Sequence, residues 1–317
     1  MKHTTNLTLL CCALAMALPG LNASEGAPDN RATVPELFAG EMDDIGPQFL
    51  VKEAAVRPKR FTLWSRADIS GTDNATYSAD DPRSSSVTSV QAGVDANLWK
   101  RETGKANWRL DAGVRGQIYR YGILGDSDKV IDFLEVNRNN FDLLSAQVRA
   151  SWQRGPWLAE AVSAQTWMKS QSTEKTFYRD FSQNLSLYRQ WLLPRGMALI
   201  GGASVGKRWS STYSYGLLPD SWNDRNEASL LALLHVPIGR SLTWRTMARA
   251  YYANYAHRDR DRDDITGSFG TELSWKIVKG VAVHVYGGHE SRASSEPGMP
   301  DYHRWELGTG CALRWDF

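Results

Sequence analysis

The chain has 317 residues, with 37 Lys and Arg against 35 Asp and Glu and a formal net charge of +2. So balanced a charge, with no clustered basic face, argues against nucleic-acid binding, and three cysteines in a chain this long argue against a disulfide scaffold. Aromatic residues are plentiful, 13 Trp and 12 Tyr, although the mean hydropathy is only −0.43.

Lys2 and His3 open the chain, the apolar run Leu7 to Leu18 follows, and Pro19-Gly20 leads into Leu21-Asn22-Ala23. Residues 1–23 therefore read as a secretory signal peptide, because the apolar core is too short to cross a bilayer as a helix. Cleavage is expected after Ala23. A lipid anchor at Cys11 is not expected, since Leu10 is not small and little apolar sequence precedes it. Cleavage would remove Lys2 and two cysteines, leaving Cys311 and a net charge of 36 minus 35, or +1. One thiol supports neither an internal disulfide nor a cysteine-based metal site, and no cofactor is expected. Residues 24–59 form a separate segment. Ser24 to Asn30 has linker composition. Residues 35–55 are acidic but carry Leu37, Phe38, Met42, Ile45, Phe49 and Leu50, and are expected to form a partial plug in a barrel, dock on its periplasmic rim, bind a periplasmic partner, or stay disordered.

From residue 60 onward the pattern has period two, and twelve strands are expected. Strand one, Phe61 to Ser70, sets Phe61, Leu63, Ala67 and Ile69 against Thr62, Trp64, Arg66 and Asp68. Strand two, Val87 to Trp99, sets Val90, Ala92, Val94, Ala96 and Leu98 against Gln91, Gly93, Asp95 and Asn97. Strand three opposes Trp108, Leu110, Ala112, Val114 and Ile118 to Arg109, Asp111, Arg115, Gln117 and Tyr119. Strand four, Phe141 to Trp152, opposes Leu144, Ala146, Val148 and Ala150 to Ser145, Gln147, Arg149 and Ser151. Strand five, Trp157 to Met168, has no assignable faces, because Glu160 shares a parity with Leu158 and Val162. Strands six and seven, Thr176 to Trp191 and Met197 to Trp209, are less cleanly patterned. Strand eight opposes Ala228, Leu230, Ala232 and Leu234 to Glu227, Ser229 and His235. Strand nine, Leu242 to Ala256, opposes Trp244, Ala248 and Ala250 to Arg245 and Arg249. Strand ten opposes Ile265, Phe269, Leu273 and Trp275 to Thr266, Ser268 and Glu272. Strand eleven runs from Val281 to about His289.

Strand twelve sets Trp305, Leu307, Thr309, Cys311, Leu313, Trp315 and Phe317 against Arg304, Glu306, Gly308, Gly310, Ala312, Arg314 and Asp316. This final amphipathic strand with its terminal aromatic resembles the carboxyl-terminal signature of Gram-negative outer-membrane β-barrels, which the barrel-assembly machinery reads. The resemblance implies a closed all-β antiparallel barrel in the outer membrane, contacting its lipid and lipopolysaccharide. The connections agree: polar stretches at 71–86, 122–140, 169–175, 210–225, 257–264 and 291–303 alternate with short ones at 100–105, 153–156, 192–195, 239–241 and 279–280. Such alternation places long loops outside and tight turns, with both termini, in the periplasm. Trp64, Trp99, Trp108, Trp152, Trp157, Trp191, Trp244, Trp275 and Trp315 fall near the turn ends, and Trp167, Trp209, Trp222 and Trp305 near the other, as two interfacial belts would require.

Function is then expected on the inner wall, where Arg66, Asp68, Asp95, Arg109, Asp111, Arg115, Arg149, Glu227, His235, Arg245, Arg249, Glu272, Glu306 and Arg314 are the candidate lining residues. Twelve strands enclose more than the side-chain-filled eight-stranded barrels and less than sixteen-stranded porins, so a narrow channel for small polar solutes or ions, or a partly blocked barrel with a docking role, is expected. The alternative is a lipid hydrolase. His289 and Ser291 face lipid and look like the His-x-Ser pair of outer-membrane phospholipase A, although Arg292 and Ala293 stand where that family carries Asn-Gly. His284 and His289 differ in parity and make no metal pair. The charge run His257 to Asp264 is expected on an outer loop, self-neutralised or contacting lipopolysaccharide phosphates or divalent cations.

Overall fold

The computed structural model describes residues 60–74, 84–122, 140–170, 176–212, 223–257, 260–296 and 301–317; the expected signal peptide, the segment 24–59 and Trp222 lie outside the described residues. Twelve strands run in order: β1 Phe61–Thr72, β2 Ser85–Thr103, β3 Ala106–Tyr121, β4 Phe141–Arg154, β5 Trp157–Ser170, β6 Thr176–Leu192, β7 Ala198–Thr212, β8 Arg225–Ile238, β9 Leu242–His257, β10 Arg260–Val278, β11 Val281–Ser294 and β12 Tyr302–Asp316. Each pairs antiparallel with its sequence neighbours, and β1 pairs with β12 from Thr62↔Asp316 to Thr72↔Glu306, closing the barrel. Closure satisfies every edge, the condition for crossing hydrocarbon with strands.

Period-two alternation decides the two walls. Val94, Val114, Leu144, Val148, Leu185, Val205, Leu230, Ile265, Phe269, Val285 and Leu307 stand exposed on the outside, where only lipid can cover them. Trp305 and Trp315 both point outward, ten residues apart on β12. At the usual strand rise and tilt that is about 25 Å along the barrel axis, the height of an outer-membrane apolar band. Trp99, Trp108, Trp157, Trp191, Trp244 and Trp275 join Trp315 on the outer surface, and Trp209 stacks on Phe181 at the opposite belt with centroids 5.7 Å apart.

The structure departs from the sequence expectations at four places. Trp64 shares its parity with Arg66 and lies inside, its indole N–H donating to Asp95 Oδ2 at 2.9 Å, so it is not a belt residue. A register shift between Asn97 and Trp99 puts Leu98 and Trp99 both outside, returning Trp99 to the belt against simple alternation. The faces of β5 are now assigned: Leu158 and Met168 are buried on the inner wall, and Met168 packs with Phe141, Leu143 and Tyr178 into an apolar inner cluster. The charge run before Asp264 is not a loop. β9 and β10 pair through it from Arg260↔His257 to Asp264↔Ala253, leaving only 258–259 between them. The expected rhythm of connections therefore holds at 73–84, 122–140 and 213–224 against 104–105, 155–156 and 279–280, but not everywhere, since 171–175 and 193–197 are equal in length. Gly104 and Gly155 open two of the two-residue turns with positive φ, which a II′ hairpin needs at its first central position.

Candidate functional site

The inner wall is identified by contacts that only inward side chains can make. Arg66 of β1 reaches Glu272 of β10, two strands beyond its neighbour β12, with Nη1 donating to Oε2 at 3.1 Å. Glu272 also accepts from Arg245 of β9, and Arg66 Nε donates to Asp68 Oδ2 at 2.8 Å. Asp68 Oδ1 lies 2.5 Å from His284 Nε2 on β11, and Arg66 stacks over the Tyr286 ring at 5.7 Å. Glu306 of β12 completes this group, accepting from Ser70 at 2.7 Å, from Tyr286 at 3.2 Å and from Arg304.

β1 and β11 touch over the top of β12 because Gly308 and Gly310 have no side chains there. A Cβ at Gly310 would collide with the Asp68 carboxylate and lie 2.8 Å from His284 Nε2; one at Gly308 would meet the Tyr286 hydroxyl at 2.6 Å. The pleat brings Asp68, Gly310 and His284 into one register row, as it does Ser70, Gly308 and Tyr286.

A second group occupies β6 to β10 nearer the end that carries the longer connections. Arg208 bridges Asp180 and Glu227 at 2.9 Å each, and Arg225 donates to the same Glu227 oxygen at 2.7 Å. Arg225 and Arg262 both stack on Tyr255, at 5.4 and 4.5 Å, and Arg262 pairs with Asp264. These guanidiniums and carboxylates are all buried. Burying any one of them alone would cost several kcal/mol, so the set persists only as a mutually neutralising whole.

Toward the turn end the same residue types stand in a more open setting. Arg109 pairs with Asp111 at 2.6 Å, Asn97 donates to Asp111 at 2.9 Å, and Arg314 pairs with Asp316 at 3.1 Å. Exposure of the paired arginines climbs along the bore, from 1% at Arg262 and 8% at Arg208 through 21% at Arg66 and 33% at Arg109 to 56% at Arg314. Arg115 of β3 and Arg149 of β4 lie on the wall opposite Arg245 and Arg249 of β9. Arg149 has no ion-pair partner among the described residues, and Arg249 stacks on Tyr251 at 5.1 Å. His235 faces inward beside Arg245, its register partner.

All fourteen candidate lining residues thus have inward parity, but they separate into a neutralised group and an accessible one. Sequence reasoning missed Asp180, Arg208, Arg225, Arg262, Asp264, His284, Glu290 and Arg304. Those on β6 and β7 were readable from the opposite parity, where Phe181, Leu185, Leu187, Val205 and Trp209 are exposed. Glu290 accepts from the Tyr302 hydroxyl at 2.6 Å, so the Glu between His289 and Ser291 belongs to the interior.

The lipid-facing pair is not assembled. His289 packs toward β12, against Trp305 at 4.5 Å and His303 at 5.9 Å, whereas Ser291 Oγ leans toward β10, 3.6 Å from where a Cβ on Gly267 would stand. A base must hydrogen-bond its nucleophile to activate it, and these two side chains diverge.

No protein-family model and no curated protein sequence matches the chain. Solved structures do. An outer membrane channel from Pseudomonas putida F1 aligns with a TM-score of 0.53 at 8% identity, covering 82% of this chain and 97% of that one. The beta domain of the Bordetella autotransporter BrkA aligns at 0.43 and 12% identity, covering 80% and 99%. The outer membrane channel DcaP of Acinetobacter baumannii aligns at 0.42 and 11%, covering 81% and 96%. With its closed twelve-stranded antiparallel sheet, apolar outer wall and ionic bore, the chain has the fold of the bacterial outer-membrane β-barrel class.

Proposed function

We propose that the protein is a narrow outer-membrane channel for small polar solutes or ions, with its termini and short turns in the periplasm and its longer connections outside. The gradient of exposure along the bore carries this reading. Partly exposed arginines and carboxylates line the turn end, and the interlocked group around Arg208 is buried beyond it. Fixed charges of both signs at a constriction discriminate among small ions and solutes while excluding bulky ones. The Pseudomonas putida barrel with the same fold is itself described as a channel.

Planar-bilayer recording of the refolded mature protein tests the reading: discrete single-channel steps smaller than those of sixteen-stranded porins support it, and a silent bilayer refutes it. Repeating the recording without residues 24–55 separates the roles of the amino-terminal segment. Larger steps identify it as a plug, and unchanged steps rule out the plug and favour a docking role through residues 35–55, on the rim or on a periplasmic partner.

A further inference from the structure

The lipid-facing wall is not uniform at the end carrying the longer connections. Lys169 of β5, Arg179 of β6 and Lys207 of β7 all point outward on adjacent strands and are exposed. None has an ion-pair partner among the described residues. Arg120 also points outward but is neutralised by Asp142 at 2.7 Å. On the strands that complete the circumference, Asp263 on β10 and Asp73 after β1 are outward carboxylates at this level.

A second feature coincides with the first. On the paired outer faces of β6 and β7, Gln183 is opposite Lys207, between the aromatic rung Phe181↔Trp209 and the apolar rung Leu185↔Val205. Leu185 and Val205 are 61% and 57% exposed, so this polar rung sits at the edge of hydrocarbon. The Lys207 ammonium lies over the Trp209 ring at 5.4 Å, and the Gln183 amide has no hydrogen-bond partner among the described residues. A free amide there is costly unless the lipid itself supplies donors and acceptors.

We propose that the outer face of β5 to β7 binds lipopolysaccharide, with Lys169, Arg179 and Lys207 holding the phosphates of its lipid A and Gln183 hydrogen-bonding the amide-linked acyl groups beneath them. Arg179 and Lys207 sit on neighbouring strands with four residues of offset, about 14 Å between Cα atoms, so they serve two phosphates set apart on one headgroup rather than one. A simple phospholipid has one phosphate and ester-linked chains and uses only part of this surface. The proposal rests on the orientation given above, with the longer connections facing outward.

The test uses the full mature protein in detergent, titrated with bisphosphorylated lipid A, monophosphorylated lipid A and phosphatidylglycerol. Wild type is expected to hold bisphosphorylated lipid A about tenfold more tightly than either other lipid, and the triple variant Lys169→Gln/Arg179→Gln/Lys207→Gln about a hundredfold less tightly than wild type. Gln183→Leu is expected to weaken lipid A and leave phosphatidylglycerol unchanged, and Arg120→Gln to change neither. Equal affinity of wild type for lipid A and phosphatidylglycerol, or a triple variant that binds lipid A normally, overturns the site. Orientation is read separately by labelling Ser84→Cys, in a Cys311→Ser background, with an impermeant maleimide on intact cells. Failure to label refutes the orientation and with it this occupant, whereas labelling without lipid A binding refutes the glycolipid site alone.

Discussion

The two ends of the bore use the same chemistry to opposite effect. Around Arg208, two arginines and two carboxylates from three strands interlock with almost no solvent contact, while at Arg314 and Asp316 a single pair lies in the open mouth, with its arginine 56% exposed. The first arrangement fixes the shape of the barrel interior, because each charge depends on its neighbours for compensation. The second costs little and holds little, and leaves its charges available to whatever enters. What separates structural from functional ions here is solvent contact, not residue type.

Removing Arg208 is the strongest way to probe this contrast. Arg208→Ala leaves Asp180 buried without its cation and Glu227 with one cation fewer, and is expected to cost about 3 kcal/mol in urea unfolding of the refolded barrel. Arg314→Ala, at a half-exposed pair, is expected to stay within about 0.5 kcal/mol of wild type. Equal costs would abolish the distinction. The seam across β12 gives the next effect. Gly310→Val drives side-chain atoms into the Asp68 and His284 contact and is expected to destabilise by about 2 kcal/mol, whereas Gly71→Ala, with no atom within 4 Å of its new Cβ, is expected to be near neutral. At the partly exposed arginines of the inner wall the effect moves from stability to selectivity. Arg149→Glu with Arg249→Glu is expected to shift the cation-to-anion permeability ratio about several-fold toward cations in a salt gradient. Trp64→Phe removes one hydrogen bond to Asp95 and is expected to cost about 1 kcal/mol.

The strand count and the faces of β2, β3, β4, β8 and β12 were legible because a barrel wall between lipid and water forces alternation on every residue. β5 was opaque for a physical reason. Its inner face carries Leu158, which is buried, and Met168, which packs in an apolar cluster, and its outer face carries Ser163 and Gln165, so hydropathy inverts where the neighbouring strands rely on it. The run before Asp264 misled in the opposite way. A string of alternating charges looks like a solvated loop, but alternation in a strand sends Arg262 and Asp264 inward together and Asp263 outward to Tyr252 and Asn254. Trp64 shows that proximity to a turn does not make a tryptophan a belt residue, since parity decides which side of the wall it meets. The division of inner-wall ions into buried and accessible was not legible, because it depends on which strands curve together across the bore.

Cysteine accessibility along the inner wall tests the account most directly. In a Cys311→Ser background, Ser151→Cys and Ser186→Cys lie in the open half, while Ser145→Cys and Ser182→Cys, each 5% exposed in the native side chain, lie in the packed half. A water-soluble maleimide is predicted to label the first two rapidly and the second two slowly. Protection of all four would mean a bore filled by side chains throughout, and would contradict a water-filled channel mouth.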